Sequence, residues 1–274
     1  MSYESLYKLK YSQPRQYESI YQNRFQDADT IHLDFNIHGN PAFICPTLGI
    51  MQLIVKIHKT DKEVRALRNA LPGVAIQQFT NRCLVDEIVL TNDIEGVNST
   101  RHEIREVFEK LESKKSDKRF YGLVMKYAML SKRESIKLDT CEDVRSIYND
   151  LVLREVVEEN PNDMPDGKLF RKESVAVTNA AQKEIHHGIV PESAIYDAVE
   201  KVLAFLKDES VDLLIRIAGA HYLIGYIHPF YNGNGRLSRF ISSFLLAQEL
   251  DPLVGYRLSY TIKENLKQYG DSFK

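Results

Sequence analysis

Hydrophobic residues recur at intervals of three and four along most of the chain after residue 46. This spacing places them on one face of a helix, so each such stretch predicts a helix that buries one side. Thr60 with Glu63 has the pattern of a capping box, which predicts that a new helix begins there. The predicted helices cover residues 47–59, 60–71, 74–93, 100–113, 120–130, 141–153, 194–206, 212–227, 236–250 and 260–274.

Two stretches break the helical pattern. Residues 174–178 and 184–191 read as short strands near turn signals, which predicts a β-hairpin at about 174–187. Residues 1–40 are polar, rich in Tyr, Gln and Arg, and without a clean period. We therefore predict an all-α fold with a small β-hairpin, in which residues 1–80 form an N-terminal helical arm packed on the core and 81–274 form the main domain. The helix 212–227 is apolar on nearly every side, which predicts a central, buried position.

Composition narrows the class of protein. The chain has 274 residues, of which 43% are apolar and 27% charged, with a formal net charge of −2. This balance is that of an ordinary globule and argues against nucleic acid as the main partner. We find no N-terminal apolar run long enough for a signal peptide or a membrane span, so we expect no membrane association. Cys45, Cys83 and Cys141 lie far apart, without metal-ligand or disulfide spacing, which predicts a reducing, cytoplasmic location.

The candidate chemistry is concentrated between two apolar helices, in a stretch that we call the signature loop (residues 228–239). Gly233 and Gly235 let backbone N–H groups turn towards an anion, and a helix that starts just after them adds its positive end. Arg236 and Arg239 fall on one helix face and can clamp phosphate oxygens. His228 is suited to proton transfer near neutral pH. The residues predict a nucleotide-phosphate site with a base beside it.

Three other features have an ordinary structural interpretation. Glu95-Gly96 ends a predicted helix, and a glycine there is the usual C-terminal stop, so an ordinary capped end is one interpretation. His186 and His187 are adjacent in a predicted strand and point to opposite faces, which disfavours a shared metal. His221 lies in an apolar helix, and we interpret it as a hydrogen-bonded core histidine.

The sequence His228-Pro-Phe-x-x-Gly-Asn-Gly-Arg-x-x-Arg resembles the signature loop of Fic domains, which are adenylyltransferases that move AMP from ATP to a protein hydroxyl. The resemblance implies a mainly helical Fic fold and an N-terminal inhibitory helix in the same chain. It also implies a role for each matching residue. His228 is the catalytic base, Phe230 is a hydrophobic anchor, and the ATP phosphates are held by Gly233, Asn234 (backbone and side chain), Gly235, Arg236 and Arg239.

Asn232 departs from the pattern, because the family usually has Asp or Glu there to hold Mg²⁺ against the diphosphate. An amide oxygen can coordinate Mg²⁺ but contributes no charge, so we expect weaker metal binding at Asn232. A slow transferase, an altered donor or cation, and a nearly inactive relative all stay open.

The same resemblance gives the helix end before Gly96 a second interpretation. Fic proteins carry an inhibitory motif, and Thr91, Glu95 and Gly96 match it at the end of a helix at about 76–95. In the family the glutamate pairs with the second arginine of the loop, here Arg239, and keeps ATP from docking productively. A carboxylate and a γ-phosphate would compete for the same donors.

The resemblance further implies that a target protein docks by adding a strand to the hairpin, the flap at 174–187. It leaves a homodimer open. The alternatives to an adenylyltransferase are another nucleotidyl or phosphoryl transfer, removal of AMP from a modified protein, and a weakly active or non-catalytic nucleotide-binding protein. A DNA-binding regulator has little support, since no separate basic domain is present.

Overall fold

The computed structural model describes residues 4–111, 118–132, 134–178 and 184–273. The fold is 66% helical with two small antiparallel hairpins, which confirms the predicted fold class. The helices are α1 Leu6–Ser12, α2 Pro14–Phe25, α3 Leu48–Ala70, α4 Gly73–Ile94, α5 Arg101–Glu109, α6 Tyr121–Ser131, α7 Cys141–Tyr148, α8 Arg154–Glu159, α9 Glu192–Leu206, α10 Leu213–Ile227, α11 Asn234–Glu249, α12 Pro252–Gly255, α13 Leu258–Glu264 and α14 Leu266–Asp271. The strands are β1 Ile31–Ile37, β2 Asn40–Ile44, β3 Ala176–Thr178 and β4 Glu184–His187. A π-helical turn at Asn149–Leu153 joins α7 to α8, and a 3-10 turn follows at Pro161–Asp163.

The predicted helix start at Thr60 is wrong, because α3 continues through it from Leu48 to Ala70. A capping box ends up inside a helix when the residues before it already have helical dihedrals and supply the carbonyl acceptors. The prediction of one continuous helix over 260–274 is also wrong, because Asn265 separates α13 from α14.

The first hairpin, β1–β2, was missed within the polar arm. Its pairing is antiparallel, with Ile31 opposite Ile44. The signal was present, because residues 31–37 alternate apolar and polar side chains, the period of a half-buried strand. Gly39, at φ 80°, lies in the turn between the two strands.

The chain divides into two compact units, which are the residues up to Thr60 and Asp61–Phe273. The division falls inside α3, and the signature loop, α4 and the second hairpin all lie in the second unit. The domain boundary near residue 80, and the packing of the arm on the core, stay predictions.

The central helix is α11, and not α10 as we expected. The buried positions of α10 lie mostly along one side, whereas α11 is buried almost without a break from Asn234 to Phe244. Hydrophobicity alone ranks these helices in the wrong order, because α11 also buries Asn234, Arg236 and Arg239. Buried polar groups of this kind require partners, so the centre of the fold is a polar site and not only an apolar core.

No helix in the described ranges is long and apolar enough to cross a membrane.

Candidate active site

The signature loop connects the end of α10 to the start of α11. His228 caps α10 in the left-handed conformation at φ 52°, which a non-glycine residue rarely adopts, and its N–H donates to the Ile224 carbonyl. Gly233 precedes α11 at φ 80°, where the absence of a Cβ removes the steric cost. The chain therefore reverses direction between two helices and brings His228 to the entrance of the α11 N-terminus.

Phe230 anchors the loop in the core, as the resemblance implied. Its ring is fully buried and stacks on Tyr148 with a centroid separation of 3.6 Å, and it packs on Phe170 at 5.6 Å. Removing this aromatic ring would leave a cavity beneath the loop, with a cost of about 3–5 kcal/mol. The loop conformation is thus tied to packing against the end of α7, where Tyr148 lies.

The side chain of Asn234 has a different use from the predicted phosphate contact. Its Oδ1 accepts from the Phe230 N–H at 3.0 Å, and its Nδ2 donates to the Phe230 carbonyl at 2.7 Å. Asn234 is only 2% exposed. Both amide atoms therefore brace the loop, and what Asn234 still offers an anion is its backbone N–H at the first turn of α11.

His228 is held as a neutral imidazole. Burial lowers its pKa to about 4; the positive charge of Arg171 also lowers it, while the Gly225 hydrogen bond and Glu95 act in the opposite direction. Nδ1 lies 3.4 Å from the Gly225 carbonyl oxygen, and a carbonyl can only accept. The proton therefore sits on Nδ1, and Nε2 presents a lone pair.

Arg171 positions this turn, and sequence reasoning missed it. Its fully buried guanidinium donates to the carbonyls of His228 at 2.8 Å, Ile227 at 3.3 Å and Glu173 at 2.6 Å, and its own N–H donates to Pro229. Carbonyls at the end of a helix carry partial negative charge and attract a cation. Arg171 follows turn signals in the sequence and has no periodic pattern, so nothing in the chain marked it in advance.

Arg239 is fully engaged with the end of α4. Its Nε donates to Thr91 Oγ1 at 2.8 Å, and its Nη2 donates to the Thr91 carbonyl at 3.1 Å and to Glu95 Oε1 at 2.9 Å. Arg239 and Thr91 are buried, while the Glu95 side chain is 24% exposed. The predicted pair of Glu95 and Arg239 is present in the structure, although a contact by itself does not demonstrate inhibition.

Glu95 lies over the start of α11 as an ionised carboxylate. Burial alone would raise its pKa, but the charge and hydrogen bond of Arg239 and the charge of Arg236 lower it below the usual carboxyl range. A Cβ added to Gly235 would collide with this carboxylate. Gly96, at φ 74°, ends α4 and so places Glu95 there. The helix stop at Gly96 and the contact of Glu95 with the signature loop are thus compatible, because the stop positions the glutamate.

Arg236 contrasts with Arg239. It is 1% exposed, yet its Nε and Nη2 atoms have no hydrogen-bond partner. Burial lowers the pKa of its guanidinium, and the carboxylates of Glu95 and Glu155 oppose this. Unpaired buried charges are costly and uncommon. At the first turn of a helix, where backbone N–H groups are also free, such a cation suits an anionic ligand. We call residues 233–236 the phosphate cradle.

Asn232 does not present its oxygen outward. Oδ1 accepts the Gly233 N–H at 2.7 Å, and Nδ2 donates to Asp163 Oδ2 at 3.3 Å. The Tyr148 hydroxyl fixes the Asn232 carbonyl at 3.1 Å. As it stands, the amide does not suit the predicted role of metal ligand. Asp163 was not singled out from the sequence, since it lies about 70 residues earlier, among turn signals.

The flap is present as β3 and β4, with Val177 opposite His186. Residues 179–183, between the strands, lie outside the described residues. His187 pairs with Glu184 at 2.8 Å, whereas His186 Nε2 contacts the Tyr226 carbonyl at 2.8 Å. The two histidines therefore have separate partners, in agreement with their interpretation as unrelated side chains.

His221 is a hydrogen-bonded core residue, as expected. Nδ1 contacts the Ser242 hydroxyl at 2.9 Å and Nε2 contacts the Tyr269 hydroxyl at 2.8 Å. Burial lowers its pKa to about 4. Across the described ranges, no group of three or more His, Cys, Asp or Glu side chains is arranged to hold a metal ion.

The chain resembles known proteins in the region of this site. Residues 139–246 match the family model described as Fic/DOC family. A crystal structure of a Fic family protein from Desulfovibrio desulfuricans matches with a TM-score of 0.59 and 18% identity over 82% of this chain. The match spans 65% of that structure's length. Fic-1 from C. elegans matches with a TM-score of 0.54 and 15% identity, over 96% of this chain and 73% of that one. Residues 139–246 are therefore similar to a Fic/DOC domain, and the two structures support the fold alone.

Proposed function

We propose that this protein is an autoinhibited protein adenylyltransferase that moves AMP from ATP to a Ser, Thr or Tyr hydroxyl of a target protein. The Fic-type domain supports a transferase of this general kind. The observation that carries the proposal is the buried Arg236 in the phosphate cradle, whose Nε and Nη2 have no hydrogen-bond partner. A polyphosphate would supply the acceptors that Arg236 lacks, with charge-assisted hydrogen bonds.

His228 serves as the general base in this proposal. Its pKa of about 4 keeps the ring neutral at pH 7, and Nε2 accepts the proton of the target hydroxyl. The hydroxyl oxygen then bonds to the α-phosphorus of ATP, and the bond from that phosphorus to pyrophosphate breaks. Arg171 keeps the imidazole at the cradle by holding the turn from which it projects.

The cradle binds the phosphates in order along α11. Backbone N–H groups of Asn234 and Gly235 hold the α- and β-phosphates, and Arg236 reaches the β-phosphate; the Gly233 N–H is already donated to Asn232 Oδ1. Arg239 takes the γ-phosphate once it is released from Glu95. The helix N-terminus adds about half a positive charge at the same place. Mg²⁺ would accompany ATP and offset charge on its oxygens, but the Asn232 amide does not suit it.

Glu95 inhibits through two contacts. It occupies an Arg239 nitrogen at 2.9 Å, and its carboxylate rests against Gly235 where a phosphate would lie. An ionised carboxylate at this position also repels the polyphosphate. A change that withdraws the end of α4 would release both contacts together.

The flap is the proposed docking site for the target. Strand β4 ends at His187, and two residues later the Ile189 N–H donates to the Ile227 carbonyl at 3.1 Å. This bond ties the end of the flap to the residue that precedes His228. A target segment added to the hairpin by main-chain hydrogen bonds would bring a hydroxyl side chain towards Nε2.

The test is transfer from α-labelled ATP by the wild type, Glu95→Gly and His228→Ala in the Glu95→Gly background. We expect Glu95→Gly to increase modification of the protein itself or of added proteins. His228→Ala should then reduce it by about 10²–10⁴-fold, the usual contribution of a general base. Mass spectrometry over a panel of nucleotides identifies the group moved as AMP, UMP or phosphate. Full activity of His228→Ala would contradict the base assignment.

A second candidate is the hydrolytic removal of AMP from a modified protein. It is favoured by the same carboxylate, since ionised Glu95 faces the cradle and could accept a proton from water. Release of AMP from a modified protein by the wild type but not by Glu95→Gly would select this reaction. Transfer by Glu95→Gly without any release by the wild type would select the first.

A further inference from the structure

Asn232 and Asp163 form a pair at the rim of the cradle. Asn232 donates from Nδ2 to Asp163 Oδ2, while its own oxygen is turned back to the Gly233 N–H. Reversing the amide would set its oxygen against the carboxylate and lose both bonds. The carboxylate that accompanies the loop at this point therefore belongs to the 3-10 turn Pro161–Asp163.

Asp163 is held in place but has capacity to spare. Its Oδ1 accepts from Asn160 Nδ2 at 2.9 Å, and Oδ2 accepts from Asn232. An ionised carboxylate has about four lone-pair sites, so two bonds leave room for a cation. Both Asp163 and Asn232 are half-buried, so an ion can reach them from solvent.

The charge of the pair equals that of a single loop acid. An aspartate at residue 232 would set a second carboxylate about 3.3 Å from Asp163, and two such carboxylates cannot both ionise without strong repulsion. Asparagine at residue 232 donates a hydrogen bond instead. Asparagine at residue 232 is therefore complementary to Asp163. The negative charge that a Fic-type loop usually carries at residue 232 is kept, one hydrogen bond away, on Asp163.

The geometry points to Asp163 as the carboxylate that holds the divalent cation of bound ATP, in place of the acid that a Fic-type loop carries at residue 232. This inference rests on the proposed function, since the phosphates supply the remaining ligands. Mg²⁺ commonly takes only one or two carboxylates, with substrate phosphates and water completing its shell. A separate observation supports an anion at the cradle, because Arg236 is 1% exposed and its Nε and Nη2 have no hydrogen-bond partner.

The experiment measures ATP binding by calorimetry in the Glu95→Gly protein, in EDTA and in Mg²⁺. We compare that protein with the further variants Asp163→Asn, Asn232→Ala and Glu158→Gln. Glu158 is the matched control, since it is a carboxylate on the neighbouring α8 in a surface ion pair with Arg154 and is 53% exposed. Such surface pairs contribute little to stability.

We expect the effect of Asp163→Asn to change sign with the metal. In EDTA the variant should bind ATP at least as tightly, because a charge that repels the phosphates is gone. In Mg²⁺ it should bind ATP at least about 10-fold more weakly than Glu95→Gly alone, since the loss of even an outer partner of a metal site costs that much. A merely structural defect would weaken binding in both media.

The exchange of the two residues gives a second test. Asp163→Asn combined with Asn232→Asp returns one carboxylate to the pair. It should restore most of the Mg²⁺ gain, by which we mean the increase in ATP affinity between EDTA and Mg²⁺. Calorimetry with Mn²⁺ in place of Mg²⁺ should give the same order of variants.

Two results would overturn the inference alone. One is an Asp163→Asn protein whose Mg²⁺ gain equals that of Glu158→Gln. The other is a Mg²⁺ gain in ATP affinity that is lost in Asn232→Ala but kept in Asp163→Asn. That result would make the Asn232 amide the ligand of the cation. If Glu95→Gly bound no ATP in either medium, the proposed function would fail together with the metal site.

Discussion

Arg236 and Arg239 lie one turn apart on α11 and are equally buried, each 1% exposed, but their surroundings are opposite. Arg239 donates three hydrogen bonds to Thr91 and Glu95. Arg236 has two nitrogen atoms without a hydrogen-bond partner. The same residue type on the same helix thus has its hydrogen bonds satisfied at residue 239 and partly unsatisfied at residue 236.

The difference separates two ways in which a buried cation can serve a site. Arg239 is compensated by the chain itself, so it contributes to folding and must be released before it can bind a phosphate. The charge of Arg236 is opposed by the Glu95 and Glu155 carboxylates, but its Nε and Nη2 have no hydrogen-bond partner, so their burial costs stability in the absence of a ligand and favours binding of an anion. Glu95 hydrogen-bonds Arg239 and lies against Gly235, so the inhibition proposed for it covers both the donor for the γ-phosphate and the cradle itself.

The largest expected effect is on stability, and it sets the two arginines directly against each other. Arg239→Gln should lower the free energy of unfolding by about 3 kcal/mol, because it removes the cation of a largely buried pair and leaves Thr91 with fewer donors. Arg236→Gln should lower it by less than about 1 kcal/mol, since no hydrogen bond is lost from Nε or Nη2. Urea unfolding of both variants measures this, and equal losses would remove the distinction.

The next effect is on binding and should follow the opposite order. In the Glu95→Gly protein without metal, Arg236→Gln should weaken ATP binding by about 10–100-fold, the range for charged hydrogen bonds worth 1.5–3 kcal/mol. Calorimetry measures the affinity. Arg101→Gln serves as the control, because Arg101 is 63% exposed and pairs only at the surface. If Arg236→Gln bound ATP as the control does, its vacant donors would not belong to the phosphate site.

A smaller effect tests the position of Glu95 over the cradle. Gly235→Ala introduces a Cβ that collides with the Glu95 carboxylate, so it should destabilise the wild type by about 1–3 kcal/mol, as other overpacking does. In the Glu95→Gly background the collision is absent and the loss should be small. Unfolding of the four proteins gives the coupling energy, and additive losses would mean that the two residues do not touch.

The smallest effect is on pH dependence. The pKa of Glu95 is lowered in the folded protein; burial opposes this, but the charge and hydrogen bond of Arg239 and the charge of Arg236 outweigh it. Its contribution to stability is therefore fully present above the ordinary carboxyl pKa of about 4.5 and is lost as the pH falls through the lowered value. The stability difference between the wild type and Glu95→Gln should be constant from pH 7 to 5 and shrink below pH 4.5. A difference that grows on acidification would contradict the pair.

Much of the fold followed from the sequence because its helices are amphipathic. The apolar spacing located α4, α9 and α10 closely, and the Asp212 side chain caps α10. The missed hairpin β1–β2 carried its signal in seven alternating residues, which were read as part of a polar arm. Local pattern failed where it was brief, or where a capping motif such as Thr60 lay within a longer helix.

The candidate site was predictable where its residues are contiguous. His228, Phe230 and Gly233 lie in one motif, and the structure gives them the conformations that such a loop needs. Arg171 and Asp163 were not predictable, because they reach the loop from distant turns and carry no periodic signal. The use of the Asn234 side chain also differed, since the bond to Phe230 exists only once the loop has closed.

By itself the sequence determined the helical class, the reversal at the signature loop and the identity of the groups available for chemistry, because spacing and residue type act locally. Only the tertiary structure decided which of those groups are satisfied. Nothing in the pattern Arg-x-x-Arg distinguishes Arg236 from Arg239. The end of α4 is brought against one of them by packing of elements far apart in the chain, and the free energy of a buried charge depends on that arrangement.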